Sequence, residues 1–279
     1  LDFELGWGSI TNGKWAERET KGVYKRLRKL IPELADTFNK LEIPSTWGVV
    51  GAMNEPLGTQ NLEHMPDQLQ EQTRQALNKG QEQTFEGRDL IEILSKKNQY
   101  ISLCSHTYSH TRVDAFEENG NLFEQEIKLF ENATRSLPIE KKLIFPQNIE
   151  GFYEIIERHG YIKIRGSNLN CSYSNLYTKI KSNLFATPQI SNYENVGLNL
   201  IRETGSLFYN SRNSRVRRML ICTQVKSGLR EILKNNKTFH IFTHPFNLAQ
   251  DLNLYKNYNI FLYKIAILRD QGRITINKF

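Results

Sequence analysis

Three short runs of this sequence hold side chains whose types and spacing could do chemistry. Asp2-Phe3-Glu4 places two carboxylates one residue apart. Alternate side chains of a strand share a face, so Asp2 and Glu4 would point one way and Leu1, Phe3 and Leu5 the other. Two carboxylates on one face at a strand end suit a base beside a metal ligand, or an acid–base pair. Ordinary surface acids on an edge strand would read the same way. Ser105-His106-Thr107-Tyr108-Ser109-His110 carries two of the six histidines, four residues apart. On one helical turn such a pair can reach a single metal ion. No Glu follows His106, so this is not the helical zinc-protease pattern, and two unrelated loop histidines are the alternative. His240-Ile241-Phe242-Thr243-His244-Pro245 repeats the spacing. As a strand it would point His240 and His244 together, with His244 at the strand end, stopped by Pro245 and placed like a general acid. Hydrogen-bonded structural histidines are the alternative there.

The other polar and aromatic residues carry weaker signals. His159 precedes Gly160, where a cation suits the end of a helix, and His64 reads as a solvated loop residue. Arg212, Arg215, Arg217 and Arg218 form a basic stretch, read as a solvated face or as a contact for an acidic sugar or phosphate. Trp7, Trp15 and Trp47 are core residues or platforms for a sugar ring, core being the simpler reading.

The elements that must position these groups follow from periodicity. Short apolar runs alternate with amphipathic stretches, which predicts an α/β protein with a largely parallel sheet. Strands are expected at Leu1 to Leu5, Pro44 to Val50, Tyr100 to Cys104, Lys142 to Phe145, Tyr161 to Arg165, Thr238 to Thr243 and Arg273 to Asn277. Helices are expected at Lys21 to Lys40, Gly87 to Lys97, Asn121 to Leu137, Ile149 to His159, Ser214 to Asn235 and Leu252 to Gln271. Gly51 to Phe85 reads as a long polar connection, and Gly166 to Asn213 as an irregular excursion rich in Asn, Ser and Tyr. No internal repeat or clean linker divides residues 1–279, so one barrel-like domain of about seven strand–helix units is the economical expectation. In such folds functional groups cluster where strands run into loops, which is where the acid pair and both histidine pairs fall.

Composition sets the outer bounds. With 279 residues, 39% hydrophobic and 24% charged, the chain can bury a core without metal or disulfide staples. A mean hydropathy of −0.54 and the lack of a long apolar run exclude a spanning helix. The net charge of +7 and isoelectric point near 9.2 favour anionic partners mildly. No basic stripe with interleaved aromatics points to nucleic acid. Cys104, Cys171 and Cys222 make no CxxC pair, which fits reduced thiols in a cytoplasmic protein. The chain begins at Leu1, without Met and inside a strand, so preceding residues are expected.

Taken together, these runs resemble the polysaccharide deacetylase family (carbohydrate esterase family 4, the NodB-type domain). SHTYSH is similar to its His-x-x-x-His metal motif, DFELGWG to its acidic first motif, and FTHPFNL to the last motif, which supplies a His. Ile144-Phe145-Pro146-Gln147-Asn148, followed by Gly160-Tyr161 and Arg165-Gly166, resembles its third motif. The resemblance covers most of the chain in the right order. It implies a distorted (β/α) barrel and hydrolysis of an N-acetyl, or less readily an O-acetyl, group on a sugar or polysaccharide precursor, in surface-polysaccharide biosynthesis. Glu4, His106 and His110 would bind zinc or another divalent metal such as cobalt. Asp2 would be the base, and His244 would protonate the leaving amine. Gln147, Asn148, Arg165, His240 and Trp7 are the candidates for substrate or supporting contacts. Two departures stand out: Glu4 replaces the usual Asp, and Gln147 stands where a basic residue is expected, with Arg165 the possible replacement in space. They keep open a metal-independent hydrolase of a small amide and a carbohydrate-binding protein without turnover.

Overall fold

The strands at the centre of the molecule are short and almost wholly buried. β1 (Asp2–Phe3), β2 (Ser45–Val49) and β3 (Ile101–Ser105) are buried at every position, as expected where a parallel sheet is covered on both faces. With β4 (Ile139–Ile144), β5 (Lys163–Arg165), β6 (Asn192–Asn195) and β7 (Ile201–Thr204) they form a seven-stranded sheet in the order β1-β2-β3-β4-β5-β7-β6. All neighbours are parallel except β6 and β7. β8 (Ser206–Phe208) and β9 (His240–Phe242) form a parallel pair of their own. The Asp2 N–H donates to the Thr243 carbonyl at 3.0 Å, which lays the end of β9 beside β1. This computed structural model describes residues 1–96, 99–117, 119–166, 191–204, 206–210, 214–235 and 237–279. The expected α/β class, with a mostly parallel sheet, is what it shows.

Helices seal the sheet through their apolar stripes. Val23–Lys40 buries Leu27, Leu30, Ile31, Leu34 and Phe38, and Arg88–Lys96 buries Leu90, Ile91 and Leu94. Each such side chain contributes roughly 1.5–3 kcal/mol on burial. Gly120–Ala133 buries Phe123, Ile127 and Phe130, and its first turn is capped by the Asn119 side chain, which accepts the Leu122 N–H. A register shift between Cys104 and Ser105 in the β3–β4 ladder breaks the pairing just before His106. Irregularities of this kind re-aim the chain that follows.

Several elements depart from expectation, each for a physical reason. Gly51 to Phe85 is not a bare connection: it contains the helices Asp67–Lys79 and Glu82–Phe85. Their buried faces are thin (Thr73, Ala76 and Leu77 in the longer one), so the hydrophobic period is faint. Lys14–Thr20 is a further helix with no buried residue to announce it. Within Gly166 to Asn213 the described residues form β6, β7 and β8. β6, sequence NYEN, is exposed along its whole length, so no alternation marks it. Residues 167–190, 205 and 211–213 of that segment, Cys171 and Arg212 among them, lie outside the described residues. Arg273 to Asn277 forms no strand. Ile274 and Ile276 lean on the core, giving strand-like alternation without a paired neighbour. Among the described residues no helix is long and apolar enough to cross a membrane.

Candidate active site

The first part of the site is set by the end of β1. Phe3 and Leu5 fill the core, and Asp2 and Glu4 are buried on the other side. After Glu4 the chain turns sharply: Leu5 takes a left-handed φ of 43°, and the Trp7 N–H returns to the Glu4 carbonyl at 2.9 Å. This wraps Gly8 against the Glu4 carboxylate. A Cβ at Gly8 would stand 2.0 Å from Glu4 Cδ, so a side chain there would displace the acid.

The second part is the loop after β3. It is not helical. Thr107 and His110 have φ values of 62° and 61°, and the Thr107 and Tyr108 carbonyls accept the Gly51 and Ala52 N–H groups at 3.0 and 2.9 Å. The two imidazoles still meet, with centroids 4.8 Å apart. His110 Nε2 is 2.7 Å from Glu4 Oε2, and His106 Nε2 is 3.3 Å from the same oxygen. His106 Nδ1 lies 2.7 Å from the Ile144 carbonyl. A carbonyl only accepts, so Nδ1 carries the hydrogen, and in the neutral ring Nε2 is left with a lone pair facing a carboxylate. Two acceptors face to face need a proton or a cation between them. The ligand atoms of Glu4, His106 and His110 lie within 4.8 Å of one another, all buried. This donor set therefore fits a divalent metal, and three protein ligands leave a position open.

Beside this set lies an acid held by a base. Arg165, from β5, donates from both terminal nitrogens to the two Asp2 oxygens at 2.6 Å each, and its Nε–H goes to Asn148 Oδ1 at 3.0 Å. Its guanidinium also lies over the Phe242 ring, 4.2 Å from the centroid. His244 follows β9, and Pro245 opens the next helix. Its Nε2 is 3.5 Å from Glu4 Oε1 and 3.8 Å from Asp2 Oδ2. Its side chain is 18% exposed against 3% and 2% for the two acids, so His244 stands nearest the solvent of the three.

Charge is distributed accordingly. Burial alone would raise the Asp2 carboxyl, but the charge and hydrogen bonds of Arg165, then His244 and His106, hold it well below the usual carboxylate range. Burial likewise opposes ionisation of Glu4, and His244 and His110 with the imidazole hydrogen bonds outweigh it. His110 is pushed up: burial disfavours its charge, and the adjacent Glu4 overcomes that. In His244 burial prevails over Glu4 and Asp2, and its basicity falls.

Three candidates stand elsewhere. Trp7 is a core residue, its indole N–H donating to the Phe85 carbonyl at 3.0 Å and its ring edge-on to Phe85. Gln147 is exposed, with a φ of 54°; the cation that meets Asp2 is Arg165. His240 does not point with His244. Strand β9 ends at Phe242, and His240 Nδ1 pairs with Glu203 at 2.8 Å. His64 is not solvated: it is buried against Glu126, whose Oε1 accepts the Ser109 N–H at 2.7 Å. The sequence reading missed this pair. Its signal is an acid on the apolar face marked by Phe123, Ile127 and Phe130.

Comparison with known proteins places the fold. No protein-family model matches the chain, and no curated protein matches it by sequence. Solved structures do match, two of them over most of this chain. One is a protein from Mycobacterium smegmatis provisionally assigned as a polysaccharide deacetylase: TM-score 0.60, 9% identity, 95% of this chain and 82% of that one. The other is Puue allantoinase: TM-score 0.54, 11% identity, 96% of this chain and 73% of that one. The chain has the α/β fold these two structures share, so the resemblance drawn from the motifs is met at the level of the fold.

Proposed function

We propose that this protein is a metal-dependent hydrolase of the polysaccharide deacetylase type, which removes an acetyl group from the nitrogen of an acetylated amino sugar or its polymer. The observation that carries the reading is the convergence of Glu4, His106 and His110 with an Arg165-held Asp2 on one side and His244 on another. Glu4, His106 and His110 would hold the metal, zinc or a similar divalent ion such as cobalt. When bound, such an ion supplies Lewis acidity, which makes water more acidic and an acyl carbonyl more electrophilic. Asp2, ionised and fixed by Arg165, which Asn148 holds in turn, accepts the proton of the attacking water. His244, at the mouth, passes a proton to the leaving nitrogen; its lowered basicity makes it a ready donor once charged. We propose with it a place in surface-polysaccharide biosynthesis, where such a substrate would be met.

The test is elemental analysis of the purified chain with acetate release from acetylated sugars. Wild type is expected to carry about one divalent ion per chain, as three-ligand sites do. His106→Ala should lose both ion and turnover. His244→Ala should keep the ion and lose roughly 10²–10⁴ in rate. Metal-free wild type with undiminished turnover would overturn the reading. That outcome would favour a second one, hydrolysis of a C–N bond in a small amide without metal. Glu4 in place of Asp supports that alternative. Sugar binding without turnover in the metal-loaded chain would point to a binding protein.

A further inference from the structure

Glu126 occupies a position the fold alone does not explain. It lies on the buried face of helix Gly120–Ala133 among Phe123, Ile127 and Phe130, with no exposed surface. A carboxylate in such a place is costly unless its oxygens are matched. Here they are. Oε1 accepts the Ser109 N–H at 2.7 Å, Oε2 accepts the Ser109 hydroxyl at 2.9 Å, and His64 Nε2 closes on Oε2 from the far side. The Ser109 hydroxyl in turn lies 2.7 Å from Thr111 Oγ1. With its own hydrogen directed to Glu126, it accepts from Thr111.

Ser109 sits where the loop is most constrained, between left-handed Thr107 and left-handed His110. Left-handed backbone at a non-glycine residue is strained and persists only where the surroundings over-determine it. Glu126 grips both the backbone and the side chain of the residue preceding His110. We propose that Glu126, backed by His64, is a positioning residue that fixes this turn and so aims the His110 imidazole at Glu4 and His106. Its consequence for metal binding rests on the function proposed above. The aim of His110 does not.

The experiment compares wild type, Glu126→Gln and Asp251→Asn as full chains. Asp251→Asn removes the charge from a part-buried pair with Arg218, 2.7 Å apart, on an element other than the loop, and serves as the measure of plain destabilisation. Cobalt titration followed by visible absorption should show about 10–100-fold weaker binding and an altered band in Glu126→Gln. Asp251→Asn should lower Tm and leave the cobalt Kd within about threefold. In the metal-free proteins the His110 imidazole resonances, assigned with His110→Asn, should move in Glu126→Gln and stay in place in Asp251→Asn. Should Glu126→Gln not fold, Ser109→Ala gives the same readings at smaller size. A Glu126 variant with lowered Tm but wild-type cobalt affinity and His110 resonances overturns the proposal. Wild type that binds no cobalt overturns the metal-site reading instead, and the resonances then decide this one.

Discussion

Two segments of this chain carry histidines four residues apart, and the fold treats them in opposite ways. In His106–His110 the left-handed residues Thr107 and His110 coil the run into a loop, and both rings reach one carboxylate. In His240–His244 the first three residues are a strand paired to β8. A strand advances about 3.3 Å per residue, so the two rings part: His240 stays with Glu203 inside the molecule, and His244 arrives at Glu4 and Asp2. Equal spacing thus yields one convergent pair and one divergent pair. The deciding variable is the backbone between the histidines, which the sequence announces only weakly.

The sharpest way to break the comparison is to remove one member of each pair. His110→Ala should abolish bound metal and lower turnover by more than about 100-fold, beyond the usual effect of outer contacts. His240→Ala should leave metal content, read by elemental analysis, at the wild-type level. Equal loss in both would mean that His240 belongs to the site after all. Next comes the support of Asp2. Arg165→Met leaves a buried carboxylate without its cation, and chemical denaturation should show a loss of roughly 3–5 kcal/mol. The acid limb of the rate profile should move to higher pH, because the charge that holds Asp2 down is gone.

The smallest effect concerns the divergent partner. Burial opposes ionisation of Glu203, yet the hydrogen bond from His240 and the Lys163 ammonium pull it down to about 2 from an ordinary 4.5. A depressed carboxyl stabilises the fold above its unfolded value and loses that contribution as pH falls through the window between the two. Thermal melts of wild type should therefore weaken from about pH 4.5 toward pH 2 more than those of Glu203→Gln, by roughly 1–3 kcal/mol. An identical pH dependence in both would show that Glu203 holds no such role.

The acid pair, the His106–His110 pair and the helix over Val23–Lys40 could be read from residue type and period, whereas His240 and His244, expected to point together, part. Asp2 and Glu4 do face together, and the stripe from Leu27 to Phe38 is buried. What could not be read was spatial substitution. The guanidinium that holds Asp2 comes from Arg165 on β5, whereas Gln147, nearer the matching motif position, lies exposed. Trp7 reads equally well as a sugar platform or as core, because only its Phe85 contacts distinguish the two. Glu126 and His64 went unseen because they come from separate elements and have no spacing to betray them. Gly8 is legible only once the Glu4 carboxylate is seen lying against it.

The backbone bond from Asp2 to Thr243 has a consequence for how activity is gained and lost. It joins the earliest described strand to the end of one of the last, and the acids and His244 straddle that seam. Contacts so distant along the chain carry a larger loop-closure cost than local ones, so the site depends on a long-range closure. Opening of the same seam is a sub-global event. It would separate Asp2 and Glu4 from His244 while β2, β3 and their helices stay packed, leaving a folded protein that has lost its chemistry.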